Sequence, residues 1–364
     1  MTSHRRPAPL STGTATNSRS SPAPKPWWRR LARLAGVVLL VLLALLVVST
    51  VANVALVKHE RATTQPYGQR IAVEGGSVNV VNHGARGPTI VLLSGLGTPA
   101  PGLDFGPLVR ELAGYRVVVV EGFGYGYSDM QGPERTTQNV SQELHAALVA
   151  AGVQAPYVLG DHSLAGFYIL DYVNRYPGEV SAVIGIDTTV PAIASTQDST
   201  PVAEDGGIPW ERLPASTGLL RWFQALAPDL VPGLALPDHT AHTDEKREQI
   251  HQMTIWNFGN RAVTDEWRRV GDNARRLEDV GFPEDLPVLA FVAQKTMEHN
   301  PRWLPLHEEH LHPVRDHRII VLEGPHYLHW TRSPEMASAI TAFLQEHELI
   351  PRATTMPAAS PTVG

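Results

Sequence analysis

The hydrophobic positions of this chain change their pattern twice along its length. From Leu34 to Val57 no charged residue occurs and polar residues are few. A helix over this run would be roughly 36 Å long, enough for a hydrocarbon core of about 30 Å. The first pattern therefore predicts a transmembrane anchor, assigned to residues 31–57.

From Tyr67 onward, short β-branched apolar runs alternate with amphipathic segments. Strands that are apolar on both faces and alternate with helices are typical of a parallel sheet covered by helices on both sides. This second pattern predicts an α/β core over residues 67–190 and 286–350. Strands are expected over 71–73, 77–82, 89–93, 117–120, 157–160, 183–186, 286–293 and 318–322, and helices over 108–113, 138–151 and 334–347.

The alternation breaks after Pro191 and returns with the strand at residue 286. Helices are expected over 210–227, 244–258 and 264–280. The last has Thr264 as its N-cap, an apolar stripe from Trp267 to Leu277, and a stop at Gly281. Residues 191–285 are therefore predicted to form a helical lid.

Charge and composition assign the remaining segments. Residues 1–30 are predicted to be a disordered, basic cytoplasmic segment, 58–66 a linker and 351–364 a disordered tail. Arginines cluster before the apolar run, which predicts a single-pass cell-membrane protein whose main domain lies outside the cytoplasm. A cleaved signal peptide is the competing interpretation. The net charge of −6 argues against nucleic acid as a partner, and the absence of cysteine excludes thiol chemistry.

The segment from Tyr157 to Tyr168 carries the first candidate for chemistry. An apolar strand stops at Gly160, and a helical pattern begins just after Ser163. A serine on a sharp turn between strand and helix is the layout of a nucleophile elbow. Asp161 stands where that motif has its first glycine. Ser163 is therefore the candidate nucleophile, with a helix-capping serine as the simpler alternative.

A serine nucleophile needs a base, an orienting acid and donors for an oxyanion. His326 follows the last predicted strand and is the candidate base, with His329 as its rival. Asp187 ends the strand after the elbow and is preferred as the acid over Glu298, which lies further out along a loop. The backbone N–H groups of Leu96 and Leu164 are the candidate oxyanion donors. No histidine spacing predicts a metal site.

The order of these motifs resembles that of the α/β-hydrolase superfamily over roughly residues 67–347. The resemblance implies a mostly parallel, doubly wound sheet with a lid, a Ser–acid–His triad and no cofactor. Three features depart from the pattern: Ser94 replaces a histidine, Asp161 replaces a glycine, and the loop after the strand at 286–293 lacks aspartate. The motifs are Ser94-Gly95-Leu96-Gly97, Gly124-Tyr125-Gly126-Tyr127-Ser128-Asp129, His162-Ser163-Leu164 and Gly324-Pro325-His326.

The expected function is hydrolysis of carboxylic esters by Ser163, His326 and Asp187, with a small ester or lipid-like substrate. Amide or C–C hydrolysis and perhydrolysis are alternatives, because the same triad supports them. A catalytically silent binding protein is the alternative from another class, and Asp161 favours it, since an ionised carboxylate would oppose an oxyanion. Lid residues expected to form either an acyl pocket or the core of the lid are Trp222, Phe223, Leu226, Trp256 and Phe258.

Overall fold

The computed structural model describes residues 27–85, 87–195, 210–226 and 241–349. Of the segments predicted to be disordered, 1–30 and 351–364, residues 1–26 and 351–364 lie outside these residues, whereas 27–30 belong to a helix. Residues 196–209 and 227–240 within the lid also lie outside them. The chain divides into two compact units, Met1–Val48 and Ser49–Gly364.

The second unit contains an eight-stranded sheet with the strand order β1-β2-β4-β3-β5-β6-β7-β8. β2 is antiparallel to both β1 and β4, and all the other neighbours are parallel. Every predicted strand is present, and the mostly parallel doubly wound sheet is confirmed. The strands are β1 Gln69–Val73, β2 Gly76–His83, β3 Thr89–Leu93, β4 Arg116–Glu121, β5 Tyr157–His162, β6 Val180–Ile186, β7 Val288–Ala293 and β8 His317–Leu322.

Helices cover both faces of this sheet because its central strands are apolar on both sides. Every residue of β5 and β7 is buried. Two apolar clusters pack against the strands, one with the helices at 137–150 and 165–175 and the other with the helices at 106–111 and 333–346. The helices of this core are α2 Pro101–Asp104, α3 Gly106–Glu111, α4 Thr137–Ala150, α5 Ala165–Arg175, α6 Pro191–Ala194, α12 Gln294–His299, α13 Trp303–Leu311, α14 Leu328–Thr331 and α15 Ser333–Glu346.

The described part of the lid is helical, as predicted, but its last helix differs from the expectation. The single helix expected over 264–280 is two helices that meet at Arg269. The first begins three residues earlier, because the Asn260 side chain accepts the Val263 N–H and caps it in place of Thr264. The lid elements are the 3₁₀ turn Trp210–Arg212, α7 Leu213–Ser216, α8 Leu219–Leu226, α9 Asp244–Asn257, α10 Arg261–Arg268 and α11 Val270–Arg276.

The apolar run forms part of helix α1, Trp27–Thr63. By length and composition this helix could cross a membrane, a test that a signal sequence near the N-terminus also meets. The helix continues into the range assigned to a linker, 58–66. Its last turns belong to the second unit, where Asn53 is its one buried residue.

Candidate active site

Ser163 lies at the turn between β5 and α5, which end and begin at His162 and Ala165. Its φ angle is +55°, a left-handed conformation that a residue other than glycine rarely adopts. The surrounding backbone holds this conformation. The Ser163 N–H donates to the Ile186 carbonyl at 3.1 Å, and its own carbonyl accepts from the Thr189 N–H at 2.9 Å. Such strain is concentrated at functional sites, where the fold compensates for its cost.

The glycine-rich loop after β3 lies directly against this serine. A Cβ atom placed on Gly95 would come within 2.8 Å of the Ser163 Cβ and 3.1 Å of His162 Nδ1. Real side chains do not approach so closely, so the loop can occupy this position only with glycine at residue 95. The neighbouring Leu96 is thereby held next to the nucleophile elbow.

Asp187 and His326 form a close pair at the carboxyl ends of the strands. His326 Nδ1 lies 2.6 Å from Asp187 Oδ2. Asp187 is fully buried and, like Ser163, has a left-handed backbone, with φ of +46°. Its carboxylate also accepts from the Ala293 N–H at 2.9 Å, the Thr296 hydroxyl at 2.5 Å and Trp303 Nε1 at 2.9 Å. These donors fix the carboxylate and leave His326 Nε2 available to a reacting group.

The two rival residues have other partners. Glu298 accepts a hydrogen bond from the Gln294 side chain one turn earlier in α12. His329 is fully buried, and its Nε2 lies 2.7 Å from Asp104 Oδ2. The structure therefore brings Asp187, and not Glu298, to His326, and it places His329 in a separate buried pair.

His162 connects the elbow to the loop that carries His326. Its ring lies 4.6 Å from the His326 ring, and its Nε2 is 3.2 Å from the His326 carbonyl oxygen. Burial and the neighbouring His326 lower the pKa of His162 well below its usual value. A neutral His162 that donates from Nε2 therefore helps to position this loop.

The candidate oxyanion donors occupy the two loops next to Ser163. Within the described ranges, neither the Leu96 nor the Leu164 N–H donates to another protein group. The adjacent Gly97 N–H donates to the Tyr125 hydroxyl at 3.2 Å, and that hydroxyl donates to the buried Glu266 at 2.7 Å. A lid carboxylate thus supports the oxyanion loop through Tyr125, a residue of the second glycine-rich motif.

Asp161 is buried beneath the elbow and hydrogen-bonded. One carboxyl oxygen accepts from the Thr188 hydroxyl at 2.5 Å. The other has no partner among the residues that the structure describes, and a small cavity of about 20 Å³ borders this side chain. Burial raises the pKa of Asp161 to about 7, against the opposing effect of the Thr188 hydrogen bond. A carboxyl group that is largely protonated below neutral pH has little charge with which to oppose an oxyanion.

A larger cavity of about 790 Å³ opens beside the oxyanion loop. Leu96 and Gly97 form one wall, and lid residues such as Phe258, Val263 and Trp267 form another. The polar residues Asn257, Thr254, Glu211 and Arg268 also line this space. Its size and mixed lining are typical of a small-molecule site.

The aromatic lid residues divide into two groups. Trp256 and Phe258 belong to the apolar core of the lid, and Phe258 also lines the cavity. For Trp222, Phe223 and Leu226 both sequence expectations are wrong. These three side chains line neither the cavity nor the core and are 47–78% exposed on α8.

Several groups that support the site could not be identified from the sequence. Thr296 and Trp303 lie on helices after β7, and nothing in their local pattern indicates a bond to Asp187. His162 belongs to the motif His162-Ser163-Leu164, but its contact with the His326 loop depends on strand order. In the described ranges no cluster of three His, Cys, Asp or Glu side chains could hold a metal ion.

Comparison with known proteins agrees with this architecture. Residues 88–214 match the sequence family described as the alpha/beta hydrolase fold. YbdG of Bacillus subtilis, an uncharacterised protein, is 26% identical over 235 residues, which cover 64% of this chain and 71% of YbdG. RutD of Cronobacter turicensis, whose name assigns it to carbamate hydrolysis, is 39% identical over 104 residues. That match spans 28% of this chain and 37% of RutD.

Solved structures share the fold at low sequence identity. A laboratory-evolved variant of the potato epoxide hydrolase StEH1 has a TM-score of 0.59 at 18% identity, covering 78% of this chain and 100% of the other. A membrane phospholipase A described as a bacterial virulence factor has a TM-score of 0.51 at 18% identity, covering 87% and 99%. The chain has the α/β-hydrolase fold, and the match of residues 88–214 to that sequence family agrees with it. Its fold and its relatives together support a hydrolase.

Proposed function

We propose that this protein is a membrane-anchored serine hydrolase that cleaves carboxylic esters outside the cytoplasm. One observation carries the proposal. A buried, fully hydrogen-bonded aspartate lies 2.6 Å from Nδ1 of His326, on the same sheet edge as a serine in a strained turn. A histidine oriented by a buried acid is the base that a serine nucleophile needs once its hydroxyl reaches Nε2.

In the proposed reaction, Ser163 Oγ attacks the ester carbonyl while His326 Nε2 takes the hydroxyl proton. Asp187 holds the imidazole in the tautomer with Nδ1 protonated and stabilises the imidazolium that forms. His326 then gives the proton to the leaving alcohol, which departs and leaves an acyl-enzyme. Water, activated by the same histidine, attacks the acyl group and releases the acid and free Ser163.

Negative charge develops on the carbonyl oxygen in both steps. The N–H groups of Leu96 and Leu164 are the proposed donors to that oxygen, and each such donor contributes about 3 kcal/mol in comparable sites. Gly95 permits the close approach of the first loop, and the hydrogen bond from Gly97 to Tyr125 holds it in place.

A small ester is the proposed substrate because the cavity next to Leu96 combines apolar and polar walls. Its volume of about 790 Å³ accommodates an acyl group together with a polar leaving group. Epoxide hydrolysis is disfavoured, although a solved relative is named for it, because that chemistry uses a carboxylate where this chain has Ser163.

The anchor and its orientation are supported by the apolar helix and by the arginines that precede it. Protease added to intact spheroplasts is expected to digest the catalytic domain. Protection of the whole chain would contradict this topology, and a mature chain that begins near Asn53 would contradict an uncleaved anchor.

The competing proposal, a silent binding protein, depended on an ionised carboxylate at Asp161. Burial raises the pKa of Asp161 to about 7, which weakens that argument. Hydrolysis of a short-chain p-nitrophenyl ester by the purified full chain tests the proposal. Ser163→Ala should lower kcat by at least about 10³-fold with an unchanged melting temperature, whereas an equal rate in both proteins would exclude Ser163 as the nucleophile.

A further inference from the structure

The lid helix α8 has its apolar stripe on the outside. Leu219, Trp222, Phe223 and Leu226 follow the spacing i, i+3, i+4 and i+7 of a helix face that packs into a core. Here these four side chains are 40–78% exposed, while Leu220 and Gln224 on the other face are buried. Exposed large apolar residues that are grouped on one face mark an interaction surface.

The buried side of α8 is attached to the end of helix α1. Asn53 donates to the carbonyls of Ala215 and Ser216 at 2.8 and 3.2 Å, and it accepts from Arg221 Nε at 2.7 Å. Arg221 also makes two hydrogen bonds of 2.7 Å to Glu60. The one charged residue of α8 is therefore neutralised on the protein side, which leaves the outer face without charge.

The approach of the lid to α1 depends on a glycine. Gly218 precedes α8 with a φ of +78°, and a Cβ atom there would lie 2.9 Å from Ser49 Oγ and 3.0 Å from the Asn53 Cβ. Trp222 Nε1 in turn donates to Ser49 Oγ at 3.1 Å. The polar atom of this exposed tryptophan is thus bonded to α1, and its ring remains on the outer face.

Ser49 is also the first polar residue in the uncharged run from Leu34 to Val57. From Leu31, where the predicted anchor begins, to Val48 the helix would extend roughly 27 Å, close to a hydrocarbon core of about 30 Å. Ending the span at Val48 shortens the predicted anchor, because Ser49 and Asn53 are bonded to the lid. The residues from Ser49 onward would then leave the hydrocarbon, at the depth where Trp and Tyr are enriched. Val51 and Val54, on either side of Asn53, are also exposed and add to the apolar surface.

We propose that the outer face of α8, formed by Leu219, Trp222, Phe223 and Leu226, is immersed in the interfacial layer of the bilayer that holds α1. The occupant of this face is lipid, because the face is apolar and uncharged and its helix is bonded to Ser49 and Asn53, which follow Val48 in α1. The inference rests on the anchor in the proposed function and is independent of the chemistry at Ser163.

Spin labels at single cysteines test this placement, since the chain has no cysteine of its own. The full chain is reconstituted into vesicles of phosphatidylethanolamine and phosphatidylglycerol, with labels at Phe223→Cys and Leu226→Cys. Leu42→Cys reports on the anchor, and Val149→Cys is the matched control, an exposed apolar residue of α4. Each label is measured for collisions with oxygen, which enters lipid, and with a nickel chelate, which stays in water.

The proposal predicts an oxygen-to-nickel ratio at positions 223 and 226 at least about three times that at position 149. A ratio equal to that at position 149, while position 42 reads as lipid, overturns the inference and leaves the anchor intact. Labels at 223 and 226 shielded from both reagents also overturn it, because protein then covers the face. An aqueous reading at position 42 refutes the anchor and the inference with it. Ester hydrolysis is measured separately, so a failure of the catalytic proposal is distinguishable.

Discussion

Nδ1 of His326 lies 2.6 Å from Oδ2 of Asp187, although 139 positions separate the two residues in the sequence. The pair forms because β6 ends just before Asp187 and the loop with His326 follows β8, with β7 between the two strands. Carboxyl ends of parallel strands meet at one edge of a sheet, where such folds place their sites. The arrangement makes the identity of the acid directly testable.

Replacing Asp187 by asparagine should lower kcat by about 10⁴-fold with little change in KM. The amide leaves the volume intact but removes the charge that stabilises the imidazolium and fixes its tautomer. Steady-state kinetics on a p-nitrophenyl ester checks this expectation. Glu298→Gln is the matched control and should change kcat less than about twofold, since Glu298 bonds only within its own helix turn. The reverse ranking would move the acid to the later loop.

Gly95→Ala should reduce kcat/KM by about 10²-fold. The added methyl group would lie 2.8 Å from the Ser163 Cβ, so either the serine or the oxyanion loop must move. Gly114→Ala is the control, because no atom lies within 4 Å of a Cβ built there. Equal activity of the two variants would show that the loop does not contact the reacting serine.

The sequence predicted the strands well because each is a short apolar run bounded by glycine or polar residues. The sequence also predicts that Ser163, Asp187 and His326 lie at one sheet edge, since all three follow strands of one parallel sheet. It could not find Thr296 or Trp303, whose bonds to Asp187 depend on the path of two helices after β7.

The outward face of α8 was also beyond prediction from sequence. A stripe at i, i+3, i+4 and i+7 is the same pattern whether it faces a protein core or a lipid surface. The structure identifies which side of α8 faces the protein, because Arg221 on that side bonds to Asn53 and Glu60.

Asp161 should make the free energy of unfolding decrease as the pH rises. Its folded-state pKa of about 7 lies above the ordinary value, so the folded protein keeps a proton that the unfolded chain releases. The stability that this group contributes is complete below about pH 4 and is lost as the pH rises to about 7.

Asp161→Asn removes this titration while keeping the shape of the side chain. Between pH 5 and pH 8 the free energy of unfolding of the variant should rise relative to wild type by roughly 2–3 kcal/mol. Urea unfolding at both pH values measures the difference. A difference between the proteins that does not change with pH would mean that Asp161 is ionised throughout.

Arg221→Ala should lower the free energy of unfolding of the second unit by about 2 kcal/mol. The change leaves Glu60 and the Asn53 side-chain oxygen without their shared partner in a partly buried site. Arg318→Ala breaks an exposed ion pair with Glu346 and is expected to cost less than about 1 kcal/mol. Melting of both variants in detergent compares them, and equal losses would argue against a specific attachment of the lid to α1.

Covalent labelling of the full chain with a fluorophosphonate, followed by mass spectrometry of its peptides, tests most directly whether Ser163 is the nucleophile. We predict one adduct, on Ser163. Labelling should disappear in Ser163→Ala, slow strongly in Asp187→Asn and persist in Glu298→Gln. A folded wild-type chain that remains unlabelled, or that carries its adduct on another residue, would contradict the assignment of Ser163 as the nucleophile.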